Sequence, residues 1–133
     1  MGYVQVYTGD GKGKTTAAMG LAIRAAGAGL KVFIGQFVKG LKYSELESLK
    51  RFDDCITIKQ FGRDCFIHNE PEEADIQIAR EGLQEIAEIV QNNEYDVLIL
   101  DEATIALYYN LFTIDELLGI LKSKSDALEI IIT

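Results

Sequence analysis

The sequence predicts an α/β fold of three layers, with a mostly parallel central sheet flanked by helices. Three observations predict it. Strand-like and helix-like runs alternate along the whole chain, the pattern of a sheet whose crossovers are helices. The runs 32–37 and 97–100 are almost wholly apolar, as strands covered on both faces must be. A glycine-rich turn joins the first strand to the first helix.

The elements follow in order. Residues 3–7 alternate aromatic and branched side chains and read as a short strand. Residues 8–14 hold three glycines and cannot be regular structure. From Thr15 the pattern is helical: Ala17, Ala18, Leu21, Ala22 and Ala25 favour a helix, and Gly27 and Gly29 end it. Residues 32–37 form a second strand, 44–52 a short helix, 56–60 a third strand and 61–70 a loop. Pro71 is expected at the first position of a long helix. In that helix Ile76, Ala79, Leu83, Ile86 and Val90 recur at helical spacing and make one apolar stripe. Residues 96–101 read as a buried strand ending in a carboxylate. Thr113 and Glu116 have capping-box spacing for a helix reaching Lys122, and 128–132 is the last strand. No repeat, linker or low-complexity run interrupts the chain, so residues 1–133 are expected to form a single domain. The chain stops on an apolar strand, which suggests that a C-terminal segment is missing.

Composition narrows the function. Thirteen Lys and Arg stand against 21 Asp and Glu, a formal charge of −8. That balance repels polyanions and argues against nucleic acid and against an anionic membrane surface. Two scattered cysteines, Cys55 and Cys65, read as reduced thiols and not as a disulfide framework. No signal-peptide pattern opens the chain and no apolar run reaches the length of a membrane span. A cytoplasmic protein is expected.

The strongest motif is Thr8-Gly9-Asp10-Gly11-Lys12-Gly13-Lys14-Thr15-Thr16, which follows a strand and opens a helix. Glycines let successive backbone N–H groups converge on phosphate oxygens. The helix N-terminus adds partial positive charge. Lys14 would reach phosphate oxygens and the Thr15 hydroxyl would ligate Mg²⁺. The loop is a variant: the usual pattern carries glycine where Thr8 stands. A P-loop NTPase-like fold binding ATP is the direct reading. Asp101 and Glu102 end the strand at 97–100 and resemble a Walker B element, which holds Mg²⁺ directly or through water. The plainer alternative is a solvated acidic pair at a helix cap. These motifs by themselves stop at nucleoside triphosphate binding.

The loop from Thr8 to Ala18 resembles the signature of the P-loop ATP:corrinoid adenosyltransferases. Arg24-Ala25-Ala26-Gly27, Gln36-Phe37-Val38-Lys39-Gly40, Leu98-Ile99-Leu100-Asp101-Glu102 and Ile130-Ile131-Ile132-Thr133 are similar to further segments of that family. The resemblance implies transfer of the 5′-deoxyadenosyl group of ATP to a cobalt(I) corrinoid, with triphosphate as leaving group. ATP would lie reversed in the loop, its 5′ carbon facing the corrinoid. It implies that Gly9, Asp10, Gly11, Lys12, Gly13, Lys14, Thr15 and Thr16 bind ATP. Lys14, Thr15 and Arg24 would neutralise the triphosphate. Thr15, Asp101 and Glu102 would hold Mg²⁺ or Mn²⁺, and Lys39 would touch phosphate or the corrinoid rim. Phe66 would be the aromatic wedge displacing the lower axial ligand, with Phe61 the second choice. The family's usual nearby Trp is absent. A homodimer and a flavoprotein reductant are further implications.

Several residues have plainer readings. Phe66 could simply anchor its loop on the core, and Lys39 could be a solvated lysine. Cys65 and His68 are more naturally bystanders than cobalt ligands. Tyr108 and Tyr109 could line a pocket or serve as core or dimer contacts. Glu72, Glu73, Glu81, Glu85 and Glu88 read as a solvated helix face. Two rivals stand beside the transferase. One is a P-loop ATPase or kinase. The other is a non-catalytic ATP-binding regulatory or corrinoid-carrier module.

Overall fold

The computed structural model describes residues 1–133. Five strands form one sheet: β1 (Val4–Val6), β2 (Val32–Phe37), β3 (Ile56–Phe61), β4 (Val97–Asp101) and β5 (Glu129–Ile132). Their order is β1-β5-β4-β2-β3, and every pairing is parallel. Helices α1 (Lys14–Gly27), α2 (Ser44–Leu49), α3 (Glu73–Asn92), α4 (Ala103–Tyr108) and α5 (Ile114–Lys122) supply the outer layers.

The two-residue period of a strand divides the core in two. Val32, Ile34, Ile56, Val97, Ile99 and Ile131 face α1, where they pack on Ala18, Met19, Ala22 and Ala25. Small alanines let α1 lie close to the sheet. Phe33, Phe37, Leu98, Leu100, Ile130 and Ile132 face the other way, against α3, α4 and α5. The expected apolar stripe of α3 meets them: Ala79, Leu83, Ile86 and Val90 are buried.

Two local details differ from the sequence reading, and one agrees with it. Pro71 does not begin α3. Glu72 is the N-cap, Glu73 opens the helix, and a reciprocal capping box joins Glu72 to Asp75. The Asp75 side chain, by accepting from the Glu72 N–H at 2.8 Å, fixes the start two residues later than proline alone suggested. Helix α4 follows directly from Asp101-Glu102 without a separate sequence signal. The expected cap of α5 forms, with the Glu116 N–H donating to Thr113 Oγ1 at 3.1 Å.

β1 is an edge strand paired only with β5, and the side chains of Tyr3, Val4 and Val6 are exposed. No helix is long and apolar enough to cross a membrane.

Candidate functional site

All five strands point their carboxyl ends to one edge, where ligands bind in open α/β sheets. The glycine loop leaves β1 there and opens α1. Gly9 and Gly13 take positive φ angles of 151° and 116°, which L side chains rarely adopt. Gly13 is the N-cap of α1, and no side chain caps that end. Helices α2, α3 and α5 each carry acids in their first turn, whereas α1 carries none. The partial positive charge of this one long helix is therefore left for an outside anion. Lys14 curls over the loop and donates from Nζ to the carbonyls of Gly9 and Gly11, at 2.6 and 2.7 Å. The ammonium is thereby held where the loop's amides converge. Lys12 and Asp10 are exposed, as is Thr16.

Asp101 is the hub of the edge. Its strand period places it on the α1 face, level with Gln36 on β2 in the register of the sheet. Leu100 pairs with Ile132, so Thr133 follows on the other side. Four donors converge on its carboxylate. Thr15 Oγ1 and Thr133 Oγ1 donate to Oδ1 at 2.9 and 2.8 Å. Lys39 Nζ and Gln36 Nε2 donate to Oδ2 at 2.6 and 3.2 Å. Asp101 is 0% exposed, and this set answers every lone pair of a buried charge that would otherwise be costly. Gln60 extends the network by donating to Gln36 Oε1 at 3.2 Å.

Glu102 stands beside the hub with φ 60°, a left-handed backbone that costs a non-glycine residue about 1 kcal/mol or more. Its N–H donates to Thr133 Oγ1 at 3.0 Å. Burial pushes the Glu102 carboxyl above its ordinary value, opposed by the charge of Lys39 and reinforced by that of Asp101. Val38 is strained in the same way, with φ 58°, which is unusual for a β-branched residue. This kink turns Lys39 back under the loop towards Thr15 and Asp101.

The donor set suits magnesium held together with a nucleotide. There is no cluster of three His, Cys, Asp or Glu side chains. Mg²⁺ needs only one or two protein ligands when phosphates and water complete its shell. Thr15 gives its hydroxyl hydrogen to Asp101, which turns its oxygen lone pairs away from the carboxylate, and one of them accepts from Lys39 Nζ at 3.3 Å. Asp101, fully occupied by donors, suits an outer role through water.

The remaining candidates fall elsewhere. Arg24 lies in the last turn of α1, about 15 Å along the helix from Lys14 at ~1.5 Å per residue. It lines a cavity with Gly2, Asp96 and Ala127 at the opposite edge of the sheet. Arg24 thus does not stand beside Lys14 within the chain, because a helix that begins at the loop carries its later residues away from it. Phe66 is 62% exposed on the loop after β3 and does not anchor that loop. Ile67 does so, packed against the core. Phe61 is buried between Phe37 and α3, which removes it as a second wedge. Cys65 and His68 are exposed, and Tyr108 is 78% exposed while Tyr109 packs on the core.

Sequence reading missed four contributors. Gln36 is the polar residue of an otherwise apolar strand and Thr133 directly follows an apolar run, a signal that was available. Arg63 and Asp75 gave none. Arg63 Nε and Nη2 grip the two oxygens of Asp75 at 2.7 and 2.9 Å, and Nη1 reaches Glu72 at 3.1 Å. This clamp ties the Phe66 loop to the start of α3. The same loop meets the segment after β2 backbone to backbone. A Cβ on Gly40 would lie 2.2 Å from the Arg63 carbonyl oxygen, and one on Gly62 would lie 2.5 Å from the Lys39 nitrogen.

Comparison with known proteins identifies the family. A family model described as ATP:corrinoid adenosyltransferase BtuR/CobO/CobP matches residues 1–133. The corrinoid adenosyltransferase of Escherichia coli (strain K12) is 33% identical over 133 residues, covering 99% of this chain and 67% of its own length. That of Pseudomonas aeruginosa is 27% identical, covering 99% of this chain and 66% of its own length. Corrinoid adenosyltransferase CobA of Salmonella typhimurium is 32% identical, with 99% and 67% covered. The chain thus spans about two thirds of the length of these relatives. On the family match over its full extent, this chain belongs to the ATP:corrinoid adenosyltransferase family.

Proposed function

We propose that this protein transfers the 5′-deoxyadenosyl group of ATP to a cobalt(I) corrinoid and releases inorganic triphosphate. The observation that carries the reading is the convergence of Lys14, Thr15, Asp101 and an uncapped helix N-terminus at one sheet edge, in a chain of this family.

In this reaction cobalt(I) attacks the 5′ carbon with its own electron pair. A cobalt–carbon bond forms, the bond from that carbon to the triphosphate oxygen breaks, and the oxygen keeps the bonding pair. The nucleophile belongs to the substrate, so the protein needs none. Its work is to hold the two reactants in line and to stabilise charge on the leaving group. The loop amides, the α1 N-terminus and Lys14 serve the triphosphate. Bound with the phosphates, magnesium would neutralise part of the developing charge. Thr15 would ligate it, with Asp101 and Glu102 beside it.

The exposed Phe66 offers an apolar face to the corrinoid's lower side, where it would displace the axial ligand before reduction. The proposal extends to a cytoplasmic enzyme that works as a homodimer with a flavoprotein as electron source.

The test is anaerobic incubation with ATP, Mg²⁺ and chemically reduced cobalamin. Light-sensitive adenosylcobalamin and triphosphate, formed over many turnovers, are the expected products. ADP with phosphate would replace this reading with an ATPase. ATP binding without product would replace it with a regulatory or carrier module.

A further inference from the structure

We infer that Lys39 is a built-in competitor of the divalent cation: its ammonium occupies the side of Thr15 and Asp101 at which the metal would bind. The inference deepens the reading of Thr15 and Asp101 as metal-side residues and rests on it.

Thr15 has one hydroxyl hydrogen, and it goes to Asp101 Oδ1 at 2.9 Å. The oxygen lone pairs of Thr15 are thereby turned outward, and Lys39 Nζ donates to that oxygen at 3.3 Å. The same ammonium lies 2.6 Å from Asp101 Oδ2. One cation therefore bridges the oxygen that would ligate a metal and the carboxylate that would support it. A divalent cation at a ligand distance of about 2.1 Å from Thr15 would stand within about 5 Å of the ammonium, close enough for the two positive charges to repel. The ammonium therefore opposes the metal by its charge.

The surroundings fit a side chain that holds this position and can leave it. Asp101 is wholly buried, so it requires a counter-charge at all times. Lys39 keeps 15% of its side chain exposed and has an open way out. The ammonium already lies 5.6 Å from the centroid of the Tyr43 ring, which adds a weak attraction on its solvent side. Val38, immediately before it, carries the strained φ of 58°. Such strain adjoins segments that change position. The cation and Lys39 thus exchange at Asp101. Metal binding costs the displacement of the ammonium, which is then free beside the phosphate loop.

The test uses Mn²⁺ alone, with neither nucleotide nor corrinoid. Free Mn²⁺ is followed by electron paramagnetic resonance in the parent protein, Lys39→Met and Lys39→Gln. Both variants are expected to bind Mn²⁺ about tenfold or more tightly than the parent, since a competing charge is gone. Mn²⁺ should raise their melting temperature by several degrees, about 3 °C or more, and barely move that of the parent. Adding Thr15→Val to Lys39→Gln should abolish the gain. Equal or weaker Mn²⁺ binding in the variants overturns the proposal, as does a gain that survives Thr15→Val. Lys39→Gln keeps a donor for Asp101 and carries the test if Lys39→Met does not fold. A failed transferase assay with this Mn²⁺ result intact would reject the reaction and leave the exchange standing.

Discussion

Thr15 and Asp101 stand 86 residues apart in sequence and 2.9 Å apart in space. The bond joins the first turn of α1 to the end of β4, and it fixes the phosphate loop relative to the acidic edge. Removing its acceptor should therefore be felt in stability as well as in function. Asp101→Ala leaves Thr15, Thr133, Gln36 and Lys39 without their shared partner. The expected loss is about 3 kcal/mol, measured by urea unfolding. Asp101→Asn keeps part of the network and should cost less.

Lys14→Ala should weaken ATP binding by about a hundredfold, the value of two charge-assisted hydrogen bonds. Calorimetric titration checks it. Stability should change little, because the carbonyls of Gly9 and Gly11 that Lys14 now meets are on an exposed loop. Arg24→Ala, by contrast, should leave ATP affinity unchanged, given its place at the far edge.

Gly40→Ala and Gly62→Ala should each destabilise the fold by about 2 kcal/mol or more, since each new methyl group meets backbone and not a yielding side chain. Gly11→Ala faces open space and should cost less than about 1 kcal/mol. Thermal unfolding separates the two outcomes. A tolerant Gly62→Ala would mean that the loops after β2 and β3 do not pack as described.

The Arg63 clamp should be visible in pH dependence. The hydrogen bond from Arg63 holds the Asp75 carboxyl below its ordinary value of 3.8, assisted by the Glu72 N–H and opposed by burial. A lowered carboxyl stabilises the fold above its unfolded value and loses that contribution as pH falls through the folded one. Arg63→Gln should therefore be less stable than the parent at neutral pH. The gap should narrow as pH falls below about 3.8, the ordinary value of Asp75. An unchanged gap down to strong acid would show that Arg63 acts by packing alone.

Phe66→Ala should alter stability by less than about 0.5 kcal/mol, because the ring is exposed. Its expected effect lies in turnover from cobalt(II) corrinoid, with activity from pre-reduced cobalt(I) retained. Equal loss from both starting states would reject the wedge role.

The sequence by itself determined the α/β class, the phosphate loop and the acidic strand end. These are local signals: alternation of apolar runs, glycines at fixed offsets, a carboxylate closing an apolar strand. It also set the start of α5, since a cap is read within one turn. It could not place Arg24, because a helix's distance from a site is a matter of rise and direction. It could not find the Arg63–Asp75 clamp, whose partners are joined by a loop without a regular period. Only the tertiary structure decided that Gln36, Asp101 and Thr133 meet. Gln36 and Asp101 lie on neighbouring strands and Thr133 directly follows a third, and sheet order and register bring them together on the α1 face. A buried carboxylate requires such partners, and which residues supply them depends on which strands become neighbours.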